Sequence, residues 1–145
     1  MKSVKVLTVG LLALSLPVFA ATVSESALKM IPGGKVVQEK EKEVKVQTKD
    51  GSIVEVEFKR NGDFEEASGH AVDKDTFEPG QNLLSLKDAV ASVKKAGKTP
   101  VGDWSLEDSM MKGWHYEFEG MENGKAMEYL VDAKTGKLRE SRQDD

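Results

Sequence analysis

The chain contains no cysteine among its 145 residues. This absence excludes disulfide bonds, thiolate metal ligands, a cysteine nucleophile and lipid attachment at a cysteine, so stability must come from burial alone. Histidine is scarce as well, since only His70 and His115 occur. No G-x-S-x-G motif is present to position a serine nucleophile. We therefore expect no enzymatic activity and no cofactor.

Long apolar runs are also missing, apart from one at the N-terminus that has the pattern of a secretory signal peptide. Lys2 and Lys5 form a basic region, residues 7–16 form the apolar run, and the small residues Val18 and Ala20 precede the expected cleavage site after Ala20. The alternative is a membrane anchor, but spanning a bilayer takes about 20 apolar residues. The sequence therefore predicts a periplasmic or secreted protein with no membrane span after cleavage.

The chain carries a net charge of −4, and losing Lys2 and Lys5 with the signal peptide would make it −6. Such an acidic protein is not attracted to nucleic acid or to anionic membranes. The remaining residues, about 125, are enough for one modest core or for two small units that share surface.

Residues 21–68 are predicted to form one helix followed by strands. Thr22 and Glu25 have the spacing of a capping box, and the helix should stop at residues 32–34, Pro-Gly-Gly. Strand-like alternation follows, with turn pairs at 50–51 (Asp-Gly) and 61–62 (Asn-Gly). The apolar strand positions are Val44, Val46, Val54, Val56, Phe58 and Phe64.

Residues 85–138 show the same order again. Ser85 is the predicted N-cap of a second helix that ends at Gly97, and turn pairs follow at 123–124 (Asn-Gly) and 135–136 (Thr-Gly). The predicted fold is α+β, with two tandem repeats of a helix and an antiparallel sheet. Residues 69–84 are interpreted as a linker, and residues 139–145 as a charged tail that frays. The apolar strand positions of this half are Trp114, Tyr116, Phe118, Met127, Tyr129 and Val131.

The segment KAMEYLVDAKTGKL, residues 125–138, carries a family resemblance. Its Val131, Asp132, Thr135 and Gly136 resemble the closing V-D-x-x-T-G pattern of the PepSY family. The resemblance covers residues 84–138, and more loosely the first half, whose corresponding turn lacks the aspartate and the threonine. It implies a small extracytoplasmic α+β module without enzyme chemistry, associated with protease propeptides, protease regulation and periplasmic sensing. The tandem arrangement also resembles the architecture of secreted β-lactamase inhibitor proteins.

One group of residues has the composition of a metal site. His70 is followed by carboxylates at Asp73, Asp75 and Glu78, which together could suit a divalent cation. Their spacing matches no compact ligand set, and Leu84 stands where a calcium loop that starts at Asp73 would need glutamate. A solvated turn and no metal site are predicted.

The phase of the predicted strands separates two faces of the sheet. If the apolar residues face the helices, the opposite face is mostly acidic and open to solvent. Its charges could attract a basic partner surface or simply keep the face soluble. We expect His115 to be an exposed or sheet-surface residue there, with a partner contact as the alternative, and Asp132 to cap its own turn. The predicted outward-facing residues are Glu55, Glu57, Lys59, His115, Glu117, Glu119, Glu128, Leu130 and Asp132.

A second candidate contact is the loop over residues 104–114. Met110 and Met111 near Trp104 could form an adaptable contact patch or cover the core. The leading hypothesis is an exported, non-catalytic module that binds a protein or peptide partner and inhibits or senses a protease. The alternative is a periplasmic protein that binds a metal or small ligand through acidic sheet residues and histidine.

Overall fold

The computed structural model describes residues 22–144, and the predicted signal peptide over residues 1–20 lies outside them. The architecture is α+β, as predicted, with a helix and four strands followed by a second helix and four more strands. The first group is α1 (Val23–Met30), β1 (Lys35–Lys40), β2 (Glu43–Gln47), β3 (Ile53–Phe58) and β4 (Phe64–Gly69). The second group is α2 (Leu86–Lys95), β5 (Pro100–Ser109), β6 (Gly113–Glu122), β7 (Lys125–Asp132) and β8 (Leu138–Gln143).

All eight strands form one antiparallel sheet in the order β1 to β8, so each strand pairs with its neighbours in sequence. Helix α1 packs against β1 and β2, and α2 packs against β5 and β7. The core lies between the helices and one face of the sheet. Its largest fully buried side chains are Tyr116, Tyr129, Phe77, Phe118, Ile31, Leu86 and Leu106.

Both helices begin where capping side chains predict. The Thr22 hydroxyl accepts a hydrogen bond from the Glu25 amide at 3.1 Å, and the Glu25 carboxylate accepts one from the Thr22 amide at 2.9 Å. This is the predicted capping box. In α2 the Ser85 hydroxyl accepts from the Asp88 amide at 3.1 Å.

The predicted hairpin turns connect consecutive strands. Between β6 and β7, Asn123 and Gly124 have φ values of 52° and 77°, as a two-residue type I′ turn requires. The turn pairs at 50–51 and 61–62 join β2 to β3 and β3 to β4. Turn chemistry therefore placed these three strand reversals correctly.

Two strands at the edges of the sheet differ from expectation. The charged tail was predicted to fray, but this prediction is wrong. Residues 138–143 pair with β7 as strand β8. Strand β1 was not predicted, and it pairs with β2. Both strands are largely exposed, so neither has the apolar alternation that reveals a strand in sequence. Backbone pairing with one neighbour holds each in place.

Residues 70–85 contain no helix or strand, yet they are packed against the rest of the molecule. Val72 and Phe77 are buried in the core. The Glu78 amide donates to the Met30 carbonyl at 2.7 Å, and the Leu84 amide donates to the Ala133 carbonyl at 2.8 Å. The segment thus makes backbone contacts with both halves of the chain.

Candidate functional site

The face of the sheet that points away from the helices is the candidate site, and we call it the outer face. In β3 the side chains of Val54, Val56 and Phe58 are buried, whereas the intervening Glu55 and Glu57 are only partly buried. The same alternation in β6 buries Tyr116 and Phe118 and leaves Glu119 exposed. The predicted phase of these strands is confirmed.

Strand register aligns carboxylates across the outer face. Glu43 pairs with Glu57, Glu57 with Glu66, and Glu66 with Glu107, and we call these four residues the acidic row. The next position across is His115, opposite Glu107. Like charges directly opposite each other in a sheet are destabilising, so the row costs stability unless counter-charges are supplied.

Counter-charge is lacking at the middle of the acidic row. Within residues 22–144, Glu57 and Glu66 form no ion pair. Partial burial, followed by repulsion from neighbouring carboxylates such as Glu43, raises the pKa of Glu57 above its ordinary value. Burial and the carboxylates of Glu57 and Glu107 likewise raise the pKa of Glu66. This part of the outer face therefore carries concentrated negative charge.

The part of the outer face near β8 is neutralised instead. The Arg142 guanidinium contacts the Glu128 carboxylate and lies 4.0 Å from a Glu117 carboxylate oxygen. Arg139 similarly lies 3.9 Å from Asp132. The excess of negative charge is therefore concentrated on β2 to β5.

A shallow groove of about 240 Å³ opens on the outer face. It is smaller than typical pockets for small molecules, which are about 300–1,000 Å³, and has room for a side chain. At its rim, His70 Nδ1 lies 2.8 Å from an Asp103 carboxylate oxygen, and this hydrogen bond raises the pKa of His70. The polar side chains that line the groove are Ser68, His70, Asp103, Ser105, Glu117, Glu119 and Glu128.

His115 lies on the outer face of the sheet as predicted, but it is buried there rather than exposed. Only 3% of its side chain is accessible. It occupies a central strand, between Glu107 on β5 and Asp132 on β7, and Leu130 on the same face is also buried. Its Nδ1 atom lies 2.9 Å from the Gly113 carbonyl oxygen. The imidazole ring is thus buried within the outer face, with a strand on each side of it.

The residues of the predicted 104–114 patch are separated in the structure. Trp104 is buried in the core, where its indole N–H donates to the Asp75 carboxylate at 2.6 Å. Met110 and Met111 are instead exposed between β5 and β6. The two methionines do not cover the core, and the buried Trp104 cannot form a contact patch with them.

The group around residues 70–78 does not converge on a common point. His70 binds Asp103, while Asp75 accepts from Trp104 and from the Ala71 amide at 3.3 Å. Two other groups within residues 22–144 bring three potential ligand atoms within 4.8 Å of one another. They are Glu107, His115 and Glu117, and Glu43, Glu55 and Glu57. Glu43, Glu66 and Glu107 were not among the predicted site residues, although their alternation with buried residues along β2, β4 and β5 places them on the outer face.

The family motif has a structural role. The Asp132 carboxylate accepts from the amides of Lys134 at 2.8 Å and Thr135 at 3.0 Å, which confirms the predicted turn cap. Burial alone would raise the pKa of Asp132, but these hydrogen bonds and Arg139 lower it overall. Val131 lies in the core, and Gly136 has a φ of 80° that favours glycine.

Residues 83–142 match the family model PepSY, described as "Peptidase propeptide and YPEB domain". This match extends from α2 through β8, and it confirms the resemblance seen in the closing strands. PepSY domains are generally non-catalytic modules of the propeptide or inhibitor type and occur in secreted and periplasmic proteins. No curated protein and no solved structure matches the chain. No helix within residues 22–144 is long and apolar enough to cross a membrane.

Proposed function

We propose that this protein is an exported, non-catalytic binding module that occupies a protein or peptide partner through the outer face. The observation that carries this proposal is the acidic row, in which Glu57 and Glu66 lie opposite each other without a counter-charge. A sheet tolerates this repulsion at a cost. A partner with lysine or arginine side chains would relieve the cost and would be drawn to the face by its charge.

The groove supplies a place for one such side chain. The carboxylates of Asp103, Glu119 and Glu128 line it. Asp103 already binds His70 and Glu128 already contacts Arg142, so the exposed Glu119 is the carboxylate that can accept hydrogen bonds from an ammonium or guanidinium group. Met110 and Met111 add an exposed apolar contact at the end of the same sheet. We propose that the partner inserts a basic side chain into the groove while its flanking residues lie along the acidic row.

The PepSY domain at residues 83–142 supports a partner of a particular kind. Since such domains are propeptide-like or regulatory, we propose that the partner is a periplasmic or secreted protease that the module inhibits or senses. We further propose that residues 21–68 form a second, degenerate PepSY-like unit. The support is the element order, in which a helix and four strands occur twice.

Capture with matched charge variants tests the proposal. The bait is the chain without its signal peptide, in periplasmic extract at moderate salt. The double variant E57K/E119K reverses two outer-face charges, and the control E41K/E78K reverses two exposed charges elsewhere. We expect a protein that the unaltered chain and the control capture but E57K/E119K loses. Peptidase activity of the purified target should fall when the chain is added.

Two outcomes would count against the proposal. Equal capture by all three baits would show that the outer face is not the contact surface. A captured protein without peptidase activity would leave a binding module but remove the protease assignment. Circular dichroism of each bait checks that the substitutions leave the fold intact.

A further inference from the structure

Three potential metal ligands meet at the end of the acidic row. Glu107 on β5 lies opposite His115 on β6, and Glu117 follows His115 by two residues on the same face. One ligand atom from each of the three lies within 4.8 Å of the others. The Nε2 atom of His115 is 3.6 Å from a Glu107 carboxylate oxygen. Two strands thus bring one imidazole and two carboxylates together.

The buried imidazole is oriented as a metal ligand requires. His115 Nδ1 lies 2.9 Å from the Gly113 carbonyl oxygen, and a carbonyl can only accept, so Nδ1 carries the proton. In the neutral ring the lone pair is then on Nε2, which lies 3.6 Å from a Glu107 carboxylate oxygen. Metal-binding histidines are held in this way, with the second ring nitrogen donating to a carbonyl or carboxylate. Among residues 22–144, no hydrogen-bond donor reaches this Nε2 atom, although the side chain is only 3% accessible.

The distance between His115 and Glu107 also suits two ligands of one metal ion better than a direct hydrogen bond between them. A separation of 3.6 Å between Nε2 and the Glu107 oxygen is too long for a good hydrogen bond. Two ligands on one tetrahedral zinc ion, each at about 2.0–2.1 Å, are separated by about 3.3 Å. Small side-chain rotations would bring Glu107 and Glu117 to that separation. A cation would also neutralise carboxylates that now face one another.

We propose that His115 Nε2, Glu107 and Glu117 bind a divalent first-row transition-metal ion of the Zn²⁺ type, with water completing the coordination. An imidazole ligand favours such ions over Mg²⁺ and Ca²⁺, which take oxygen ligands. The absence of cysteine removes the thiolates that favour Cu⁺. Glu107 belongs to the acidic row and Glu117 lines the groove, but the capture experiment reverses other residues, so the two proposals can fail separately.

Calorimetric titration with ZnCl₂ tests the proposal on the chain without its signal peptide and without a purification tag. We expect one Zn²⁺ ion to bind and the melting temperature to rise with Zn²⁺ concentration, because a ligand of the native state stabilises it by mass action. MgCl₂ should produce no rise. E107Q and E117Q, which keep side-chain shape, should each weaken Zn²⁺ binding by at least about tenfold, as even indirect supporting residues do. The control E55Q/E57Q alters the all-carboxylate group and should leave the affinity unchanged.

The two histidines supply an internal comparison by nuclear magnetic resonance. Zn²⁺ should shift the Nε2 resonance of His115 and leave exposed His70 unaffected. The proposal is overturned if Zn²⁺ does not bind, if it shifts His70 rather than His115, or if E107Q and E117Q bind as tightly as the unaltered chain. Because the glutamine variants preserve shape, the test does not depend on a His115 substitution that could prevent folding.

Discussion

At the scale of single residues, a hydrogen bond joins the buried indole of Trp104 to the partly buried carboxylate of Asp75. The indole N–H lies 2.6 Å from the carboxylate oxygen, while the other carboxylate oxygen of Asp75 is buried without a partner. Trp104→Phe keeps an aromatic ring but removes the donor, so we expect the free energy of unfolding to fall by about 1–3 kcal/mol. Urea denaturation measures the change.

A double-mutant cycle isolates that hydrogen bond. In an Asp75→Ala background the acceptor is already gone, so Trp104→Phe should cost less than in the unaltered chain. Strictly additive costs would show that the bond contributes nothing and that Trp104 acts through packing alone.

Residue roles were predictable from the sequence where they depend on close neighbours. Asp132 caps its turn by accepting from amides two and three residues ahead, and the local sequence contains that information. The burial of His115 depends instead on the pairing of β6 with β5 and β7, which places Glu107 and Asp132 opposite it. Trp104 likewise finds its partner 29 residues away. No local pattern in one sequence indicates such contacts.

At the scale of elements, Gly120 on β6 lets the Tyr129 side chain of β7 and the Thr99 backbone lie directly against the strand. A Cβ atom at this position would lie 2.5 Å from the Tyr129 ring and 2.8 Å from the Thr99 carbonyl oxygen. Gly120→Ala must therefore displace the tyrosine ring or the Thr99 backbone, and we expect a loss of about 1–3 kcal/mol in the free energy of unfolding. Chemical denaturation followed by tryptophan fluorescence measures it.

The exposed neighbour of Gly120 supplies the control. Met121 points to the other face and is exposed, so Met121→Ala should change the free energy of unfolding by no more than about 0.5 kcal/mol. If Gly120→Ala were equally harmless, the close approach of the Tyr129 ring would not be a packing constraint.

The helices and strands that have a capping residue, a turn motif or an apolar period were predicted, and those without one were not. Helix caps and hairpin turns predicted α1, α2 and most strands, because each of these motifs is formed by residues only a few positions apart in the sequence. Strands β1 and β8 are edge strands with mostly exposed side chains, so their sequences lack an apolar period. These two strands form because the neighbouring strand offers backbone N–H and C=O groups with which they can pair.

At the scale of the whole molecule, the crowded carboxylates make stability depend on pH. Partial burial and the neighbouring Glu43 raise the pKa of Glu57 above 4.5, and burial and Glu43 also raise that of Glu55. The folded state then holds more protons than the unfolded state, so this stability is complete below pH 4.5 and is lost as pH rises through the folded pKa values. His70, with its raised pKa, contributes in the same direction above 6.5.

We therefore expect the free energy of unfolding to be higher near about pH 5 than near about pH 8. Glu57→Gln removes one of the crowded charges and should flatten this dependence, whereas Glu41→Gln in an exposed turn should not. Urea denaturation across the range measures both. A stability that increases with pH, or equal slopes in the two variants, would contradict the role assigned to the outer-face carboxylates.

The arrangement of the sheet was only partly predictable from the sequence. Strand phase correctly separated the outer face from the core, since side chains alternate strictly along a strand. The pairing of β4 with β5, which makes one sheet from two halves, was not predicted. These strands are separated by residues 70–99, and no turn motif connects them. The acidic row depends on that pairing, so its full extent could not be predicted either.

The sequential strand order also has a kinetic consequence. Six of the seven strand pairs join segments linked by short turns, and such hairpins close within about microseconds. The β4–β5 pair must instead close a loop that contains residues 70–85 and α2, at a larger cost in chain entropy. Refolding should therefore proceed as rapid local zippering in each half, with the joining of β4 to β5 as the step that limits the rate.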